Sequence, residues 1–464
     1  RQRQMCIRDR DINTSLGNAA DPIDADQKLQ EDALMSYVAS VNYSYDDKYY
    51  ASFSFRRDGS SRLSPDTRWG NFWSLSASWR LSQERFMQPL KSVLSDLKLR
   101  ASYGVNGNLP SSYYGYQSTY TTGAFYSGKP SPWESTLGNE ELTWEKNYAL
   151  NLGLDIGLFS RVNVSLDWYT RTTKDLLMSK QLNSISGFSS LLTNVGQMRN
   201  TGVELEVRSN NIKTKDFSWT TAFNLSHNKN KILKLADLPW FVDGRYVRKE
   251  GYPFNTIYLR EYAGVDPETG SALYYDNQQD ENGNYTKNKV TDPGQASPIP
   301  LKDITPTISG GFMNTFNYKF IDLSFNLSYS FGGYSYDNAS YILQDDGYSV
   351  ISNKSTEQRR RWQKPGDITD VPRFVYGNKK GGNYNSSRAI HSTDHIRLKS
   401  LILGLNAPKA WLQKLGIGNA RIYFSGTNLL TWAAYDQYDP EMSGVVGFYT
   451  PPLKTYAFGL ELKF

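Results

Sequence analysis

The chain holds a single cysteine, Cys6, in 464 residues, so it can form no internal disulfide and is not a stapled secreted scaffold. It has no apolar run near the ~18 residues that a helix needs to cross a bilayer, which excludes a helical membrane protein. Charge of one sign is not concentrated either. The 52 basic and 46 acidic residues leave a net charge of +6 spread along the sequence, with no block to track nucleic-acid phosphates. The amino terminus carries basic residues without an apolar core segment, so it is not a secretory signal. Stability therefore has to come from strand pairing.

What is present is alternation. In the last ten residues Tyr456, Phe458, Leu460, Leu462 and Phe464 share one face of an extended chain, while Thr455, Ala457, Gly459, Glu461 and Lys463 share the other. An amphipathic strand ending on an aromatic residue is what outer-membrane β-barrels carry at their carboxy terminus. Val162, Val164, Leu166 and Trp168 alternate with Arg161, Asn163, Ser165 and Asp167. Leu150 to Leu158 and Ile321 to Phe331 repeat the pattern. Less regular runs start near Met35, Tyr49, Phe72, Leu97, Val203, Phe217, Phe312, Leu398 and Ile422, which gives roughly 14 candidate strands of bilayer-crossing length. Aromatic residues make up 14% of the chain, enough for interfacial girdles and aromatic-rich loops.

The spacing predicts two kinds of connection. Tight turns join Tyr45 to Lys48, Phe159 to Arg161, Ser209 to Asp216 and Tyr318 to Ile321. Long polar segments fill 107–141, 174–198, 229–306, 332–391 and 429–452. Such alternation fits a transmembrane antiparallel β-barrel with one end in the periplasm and the other outside. Soluble sandwiches would show loops of similar size at both ends. Because hydrocarbon tolerates no open backbone edge, the strands have to close, and the first strand, around 33–45, is expected to lack its neighbour.

Chemistry is sparse. His395 sits beside Asp394 and near Ser392, but no Gly-x-Ser-x-Gly turn supports a hydrolase, so no catalytic residue is assigned. Asp276, Asp280, Asn282, Gly283 and Asn284 form an oxygen-rich loop whose spacing departs from calcium-binding loops, and a solvated turn is the simpler reading. No metal or cofactor is assigned. Tyr113, Tyr114, Tyr116, Trp133 and Trp240 are loop aromatics that could stack on sugar rings, contact peptide, or pin loops together. Arg100, Asp155, Arg161, Asp167 and Asp322 fall on wet strand faces, where a charge costs little.

Several ordered segments resemble the SusC/RagA family of TonB-dependent outer-membrane transporters. They are Tyr43–Tyr49, Phe55–Leu63, Arg68–Trp73, Asp96–Gly104 with Asn106–Asn108, Asn194–Gly196, Asn200–Glu204, Gly264–Gly270, Ile396–Leu401, Pro408 and Asp439–Glu441. The resemblance implies a signal sequence, TonB box and plug ahead of a barrel of about 22 strands. By that resemblance, the signal sequence, TonB box and plug are expected to lie outside this stretch. The expected organisation is a non-native, adapter-like segment over 1–10, a loop over 11–32, and the carboxy-terminal part of the barrel over 33–464. The resemblance further implies a non-enzymatic importer of oligosaccharides or peptides in the outer membrane of a Gram-negative cell. Its partners would be a SusD-like surface lipoprotein, the TonB complex, membrane lipid and the barrel-assembly machinery, the last reading Tyr456, Phe458, Leu460, Leu462 and Phe464. The alternative is a structural or adhesive barrel with glycan-binding loops and no transport.

Overall fold

The computed structural model describes residues 29–464 except 236–237, 350, 379–384, 409–411 and 413–415. The expectations for 1–10, Cys6 included, and for 11–28 lie outside the described residues. Thirteen strands lie side by side in chain order as one sheet. They are β1 (Leu34–Tyr45), β2 (Tyr49–Ser60), β3 (Trp69–Arg80), β4 (Leu94–Asn108), β5 (Glu145–Leu158), β6 (Val162–Lys174) and β7 (Gln197–Lys213). The sheet continues with β8 (Phe217–Lys234), β9 (Ile308–Tyr318), β10 (Ile321–Phe331), β11 (His395–Asn406), β12 (Asn419–Ala433) and β13 (Thr455–Lys463). Every alternating run named from the sequence lies on one of them, one strand fewer than the rough count.

Each strand pairs antiparallel with its sequence neighbour in the sheet, and the register carries one apolar face across all of them. Val41, Phe53, Leu75, Tyr103 and Leu150 lie opposite one another from β1 to β5. Leu166, Leu205 and Leu225 continue the face over β6 to β8, and Leu323, Leu403, Phe424 and Phe458 over β10 to β13. Because side chains alternate strictly, a slip of one residue in any pair would turn that strand's apolar set toward water. The apolar band is bounded by aromatics at both ends. Tyr45, Tyr49, Trp79, Phe159, Tyr318 and Phe320 are exposed at one end; Tyr37, Trp69, Phe331, Trp432 and Tyr456 are exposed at the other. These are the two interfacial girdles of a membrane barrel.

Connections at the first of these ends are mostly tight. Asp46 and Asp47, and likewise Phe159 and Ser160, take left-handed φ, as the two central residues of a hairpin turn matched to strand twist must. The segments 81–93 and 407–418 are longer exceptions at this end. At the opposite end lie 61–68, 109–144, 175–196, 235–307, 332–394 and 434–454. The first of these is short, yet the alternation of the two ends holds throughout. β1 pairs with β2 alone, β13 with β12 alone, and every residue of β1 is exposed, so the sheet stays open at both margins.

The buried apolar clusters sit at the long-loop end. Leu63, Phe72, Val105, Leu142 and Trp144 pack together inside the sheet's mouth. The Phe72 ring meets Trp144 edge-on at 5.2 Å, and Trp144 Nε1 donates to the Arg68 carbonyl at 2.8 Å. A Cβ on Gly107 would run into the Phe72 ring, so the two sequence segments Arg68–Trp73 and Asn106–Asn108 are one packing unit. Further clusters lie beyond the sheet, one where the loop residues Leu176, Met178 and Leu235 meet Ile232 at the outer end of β8, others among Ile257, Leu259, Tyr336 and Ala389 and around Tyr274.

Candidate functional site

The face opposite the apolar band is the lumen wall, and two of its arginines are paired with carboxylates on neighbouring strands. Arg100 on β4 donates to Asp155 at 2.8 and 3.0 Å and reaches Asp167 on β6 at 2.9 Å. To do so it crosses Gly153 on β5, where any side chain would collide with the guanidinium. Arg421 on β12 holds Asp322 on β10 at 2.6 Å in the same manner, with Asn406 adding a bond of 2.8 Å. These ion pairs span three strands each and satisfy carboxylates that would otherwise face the lumen alone.

Above the sheet the loops tie together. The segment Tyr334–Asp337 pairs with Ile390–Ser392 on one side and, in parallel, with Gly444–Val446 on the other. Arg388 donates to the fully buried Asp346 carboxylate at 2.5 and 3.2 Å, and Gln358 Nε2 adds a third bond at 2.9 Å. Arg397, at the outer end of β11, reaches Asp439 at 2.6 Å and Glu441 at 2.8 Å, and Lys399 reaches Glu441 at 2.6 Å. Two segments noted separately in the sequence, Ile396–Leu401 and Asp439–Glu441, are thus the halves of one buried ionic tie. Their opposite charges were the available signal.

The loop aromatics do not converge. Tyr113 lies under the Arg62 guanidinium, 4.1 Å from its ring centre, and beside Tyr114, whose hydroxyl accepts the Glu31 amide at 3.2 Å. The Tyr116 hydroxyl accepts from Gln117 at 2.8 Å. Trp240 lies 6.0 Å from the Tyr258 ring in the 235–307 loop. Trp133 is 56% exposed on the hairpin of Thr119–Tyr126 and Lys129–Thr136. Tyr456, Phe458, Leu460, Leu462 and Phe464 are all exposed along the free edge of the sheet.

The Asp276 to Asn284 loop spends its oxygens internally. Asp276 accepts from Thr286 Oγ1 at 2.7 Å and from Asn288 at 2.9 and 3.1 Å, donors that hold its carboxyl below the usual range. Asp280 accepts the Asn284 and Asn282 amides at 2.8 and 2.9 Å, which lowers it likewise. His395 Nδ1 meets the Thr393 carbonyl at 2.7 Å, its Nε2 lies 3.8 Å from Glu441, and Asp394 accepts the Gly332 amide. His395 and Asp394 each serve the backbone around them, and Ser392 Oγ accepts the Asp394 amide.

The family profile described as "TonB dependent receptor-like, beta-barrel" matches residues 4–265. TonB-dependent receptor P3 of Formosa agariphila is 33% identical over 94% of this chain and 46% of its own length. TonB-dependent receptor SusC of Bacteroides thetaiotaomicron is 31% identical over 95% of this chain and 45% of its own. The solved structure of the RagAB peptide transporter superposes with a TM-score of 0.85 at 31% identity, over 93% of this chain and 48% of that one. The chain spans about half the length of these relatives. The open sheet, its two girdles and these likenesses lead to one assignment: the chain belongs to the TonB-dependent receptors, as a SusC/RagA-type homologue forming part of an integral outer-membrane β-barrel.

Proposed function

We propose that this chain is the carboxy-terminal part of the barrel of a nutrient importer, energised through TonB and covered by a SusD-like surface lipoprotein, that takes up peptides or oligosaccharides. The likeness to the RagAB peptide transporter, at a TM-score of 0.85, carries the reading and favours peptides. In this reading the remaining strands, the plug and the TonB box belong to the full-length protein. The open margins at β1 and β13 support that view, since a bilayer leaves no backbone edge unpaired. Ligand contacts fall to the outer loops, with Trp133 the first choice because its indole is exposed and no ring or hydrogen-bond partner holds it among the described residues.

The test uses the full-length parent in its own cell. Deletion should abolish growth on either a peptide mixture or an oligosaccharide mixture as sole nutrient, TonB depletion should reproduce the defect, and a tagged parent should retain a surface lipoprotein. Unimpaired growth of the deletion strain on both mixtures, together with loss of its adhesion to glycan-coated surfaces, would replace import by the adhesive reading.

A further inference from the structure

The lipid-facing side of the sheet is not smooth. A depression of about 670 Å³ opens over Ala77 and Ala101 and is walled by Trp79, Leu99, Leu152 and Trp168. That volume falls within the ~300–1,000 Å³ of sites that hold small molecules. Its floor exists because the register places Ala77 opposite Ala101 on one side and Ala51 on the other, a row of methyl side chains among larger aliphatic and aromatic ones. The depression slopes. Trp79, at the tight-turn end of β3, lies in the same row as Leu99 and Leu154, and Leu154 is well inside β5, which ends at Leu158. The groove therefore starts at the periplasmic boundary and rises into the hydrocarbon.

Its lower end has a built polar rim. Tyr49 Oη and Trp79 Nε1 both donate to Glu84 Oε1, at 2.7 and 3.1 Å. Glu84 leads directly into the short helical segment Arg85–Leu90, where Phe86 and Leu90 stand 64% and 52% exposed. Arg85 and Lys91, at the two ends of that segment, form no ion pair among the described residues. An apolar tip flanked by two free cations, at the level of an aromatic girdle, is the arrangement of a membrane-surface anchor.

We propose that this groove is a binding site for one phospholipid of the periplasmic leaflet, with an acyl chain lying over Ala77 and Ala101 and the phosphate held by Arg85 and Lys91. Lipid tails are as apolar as the groove wall, so burial alone gives no preference for this spot. The preference comes from shape, because a tail that fits the depression gains packing contacts that a flat stretch of band does not offer. The charge-assisted bonds to phosphate add to it.

The test takes the full-length parent in detergent, adds palmitoyl-oleoyl phosphatidylethanolamine, and counts retained lipids by native mass spectrometry. One lipid should survive detergent washing that strips the others. Ala101→Phe, which fills the floor, should abolish its retention, and the Arg85→Glu, Lys91→Glu pair should weaken it several-fold. Heat-modifiable gel mobility confirms that each variant has folded. A phosphatidylethanolamine with a diazirine in its acyl chain should label peptides covering Leu97–Tyr103 above all others in the wild type. Unchanged retention in Ala101→Phe, label spread evenly around the band, or a protein cross-linked over the groove would each overturn the proposal. None of these readouts depends on transport, so the importer reading stands or falls separately.

Discussion

Leu152 and Leu166, in the middle of the sheet, are 47% and 40% exposed, whereas Ile257, Tyr274 and Tyr336, in the loops above it, are 1%, 0% and 1% exposed. The two regions obey the same chemistry against different surroundings. In the sheet the backbone ladder supplies cohesion and the apolar side chains point outward to hydrocarbon. In the loops apolar side chains turn inward and polar groups face water, as in any soluble domain. The ion pairs follow the same division. Arg100 and Arg421 bridge strands on the hydrated lumen wall, while Arg388 and Arg397 are closed into loop cores where an unpaired charge is costly.

The comparison breaks most severely at its open margin. Deleting Phe464, or placing Asp at Phe458, removes apolar surface from a strand whose whole even-numbered face is exposed. In the full-length parent we expect surface levels to fall to background, read by cell-surface labelling. Normal levels would show that this face is not what the assembly machinery engages.

The next effect belongs to the loops. Arg397→Met would leave Asp439 and Glu441 without their guanidinium, and Arg397 is 3% exposed. Removing one partner of a buried pair costs about 3–5 kcal/mol. The 434–454 loop should become open to limited proteolysis while the heat-modifiable mobility of the barrel persists. Equal resistance in mutant and wild type would mean that the parallel contact with Tyr334–Asp337 holds the loop unaided.

A smaller effect distinguishes the two faces of one strand. Leu327 and Asn326 are adjacent on β10, the first on the apolar band opposite Phe312, the second on the lumen side opposite Met313. Leu327→Arg should destabilise the parent by about 2–4 kcal/mol in urea, and Asn326→Arg by well under that. Similar losses from both would contradict the assignment of faces.

Much of the sheet was legible because its information is local. Ile321 to Phe331 alternates within a single strand, and alternation alone tells which residues face outward. Tight turns were legible for the same reason, Asp46-Asp47 between two alternating runs being sufficient, but the one expected from Ser209 to Asp216 begins too early, because β7 stays paired to Lys213 through a bulge. The segments 81–93 and 407–418 broke the pattern because their length, close to that of a short outer loop, does not reveal at which end they lie. The loops were legible only as loops. The partners Asp346 and Arg388 are 42 residues apart, and Ser335 and Tyr438 are 103 apart, so no window of sequence contains the contact. The aromatic candidates show the same limit: Tyr113 and Trp133 look alike in composition, yet one lies under Arg62 and the other stands free.

The smallest expected effect concerns the junction where two loops meet. The His391 imidazole stacks on Tyr435 with ring centres 3.7 Å apart and planes 3° from parallel, and among the described residues its buried Nε2 has no hydrogen-bond partner. Around it lie Asp337, which accepts from Tyr435 at 3.0 Å, and Tyr438, bonded to Ser335. Burial pushes the imidazole below its ordinary value, and the nearby Asp337 offsets this only in part. The closed junction therefore binds fewer protons than the opened one between that lowered value and the ordinary value of about 6.5. The sign follows: the contribution of His391 is fully present above about pH 6.5 and drains away as pH falls through the lowered value. Hydrogen exchange of the amides in 334–341 and 434–446 should accelerate on acidification across this window, beyond the intrinsic pH dependence of exchange. His391→Phe keeps a flat ring over Tyr435 but cannot take a proton, so the added acceleration should vanish. Its persistence in the variant would assign the acid sensitivity to the carboxylates of the junction, leaving the stacked ring a packing element alone.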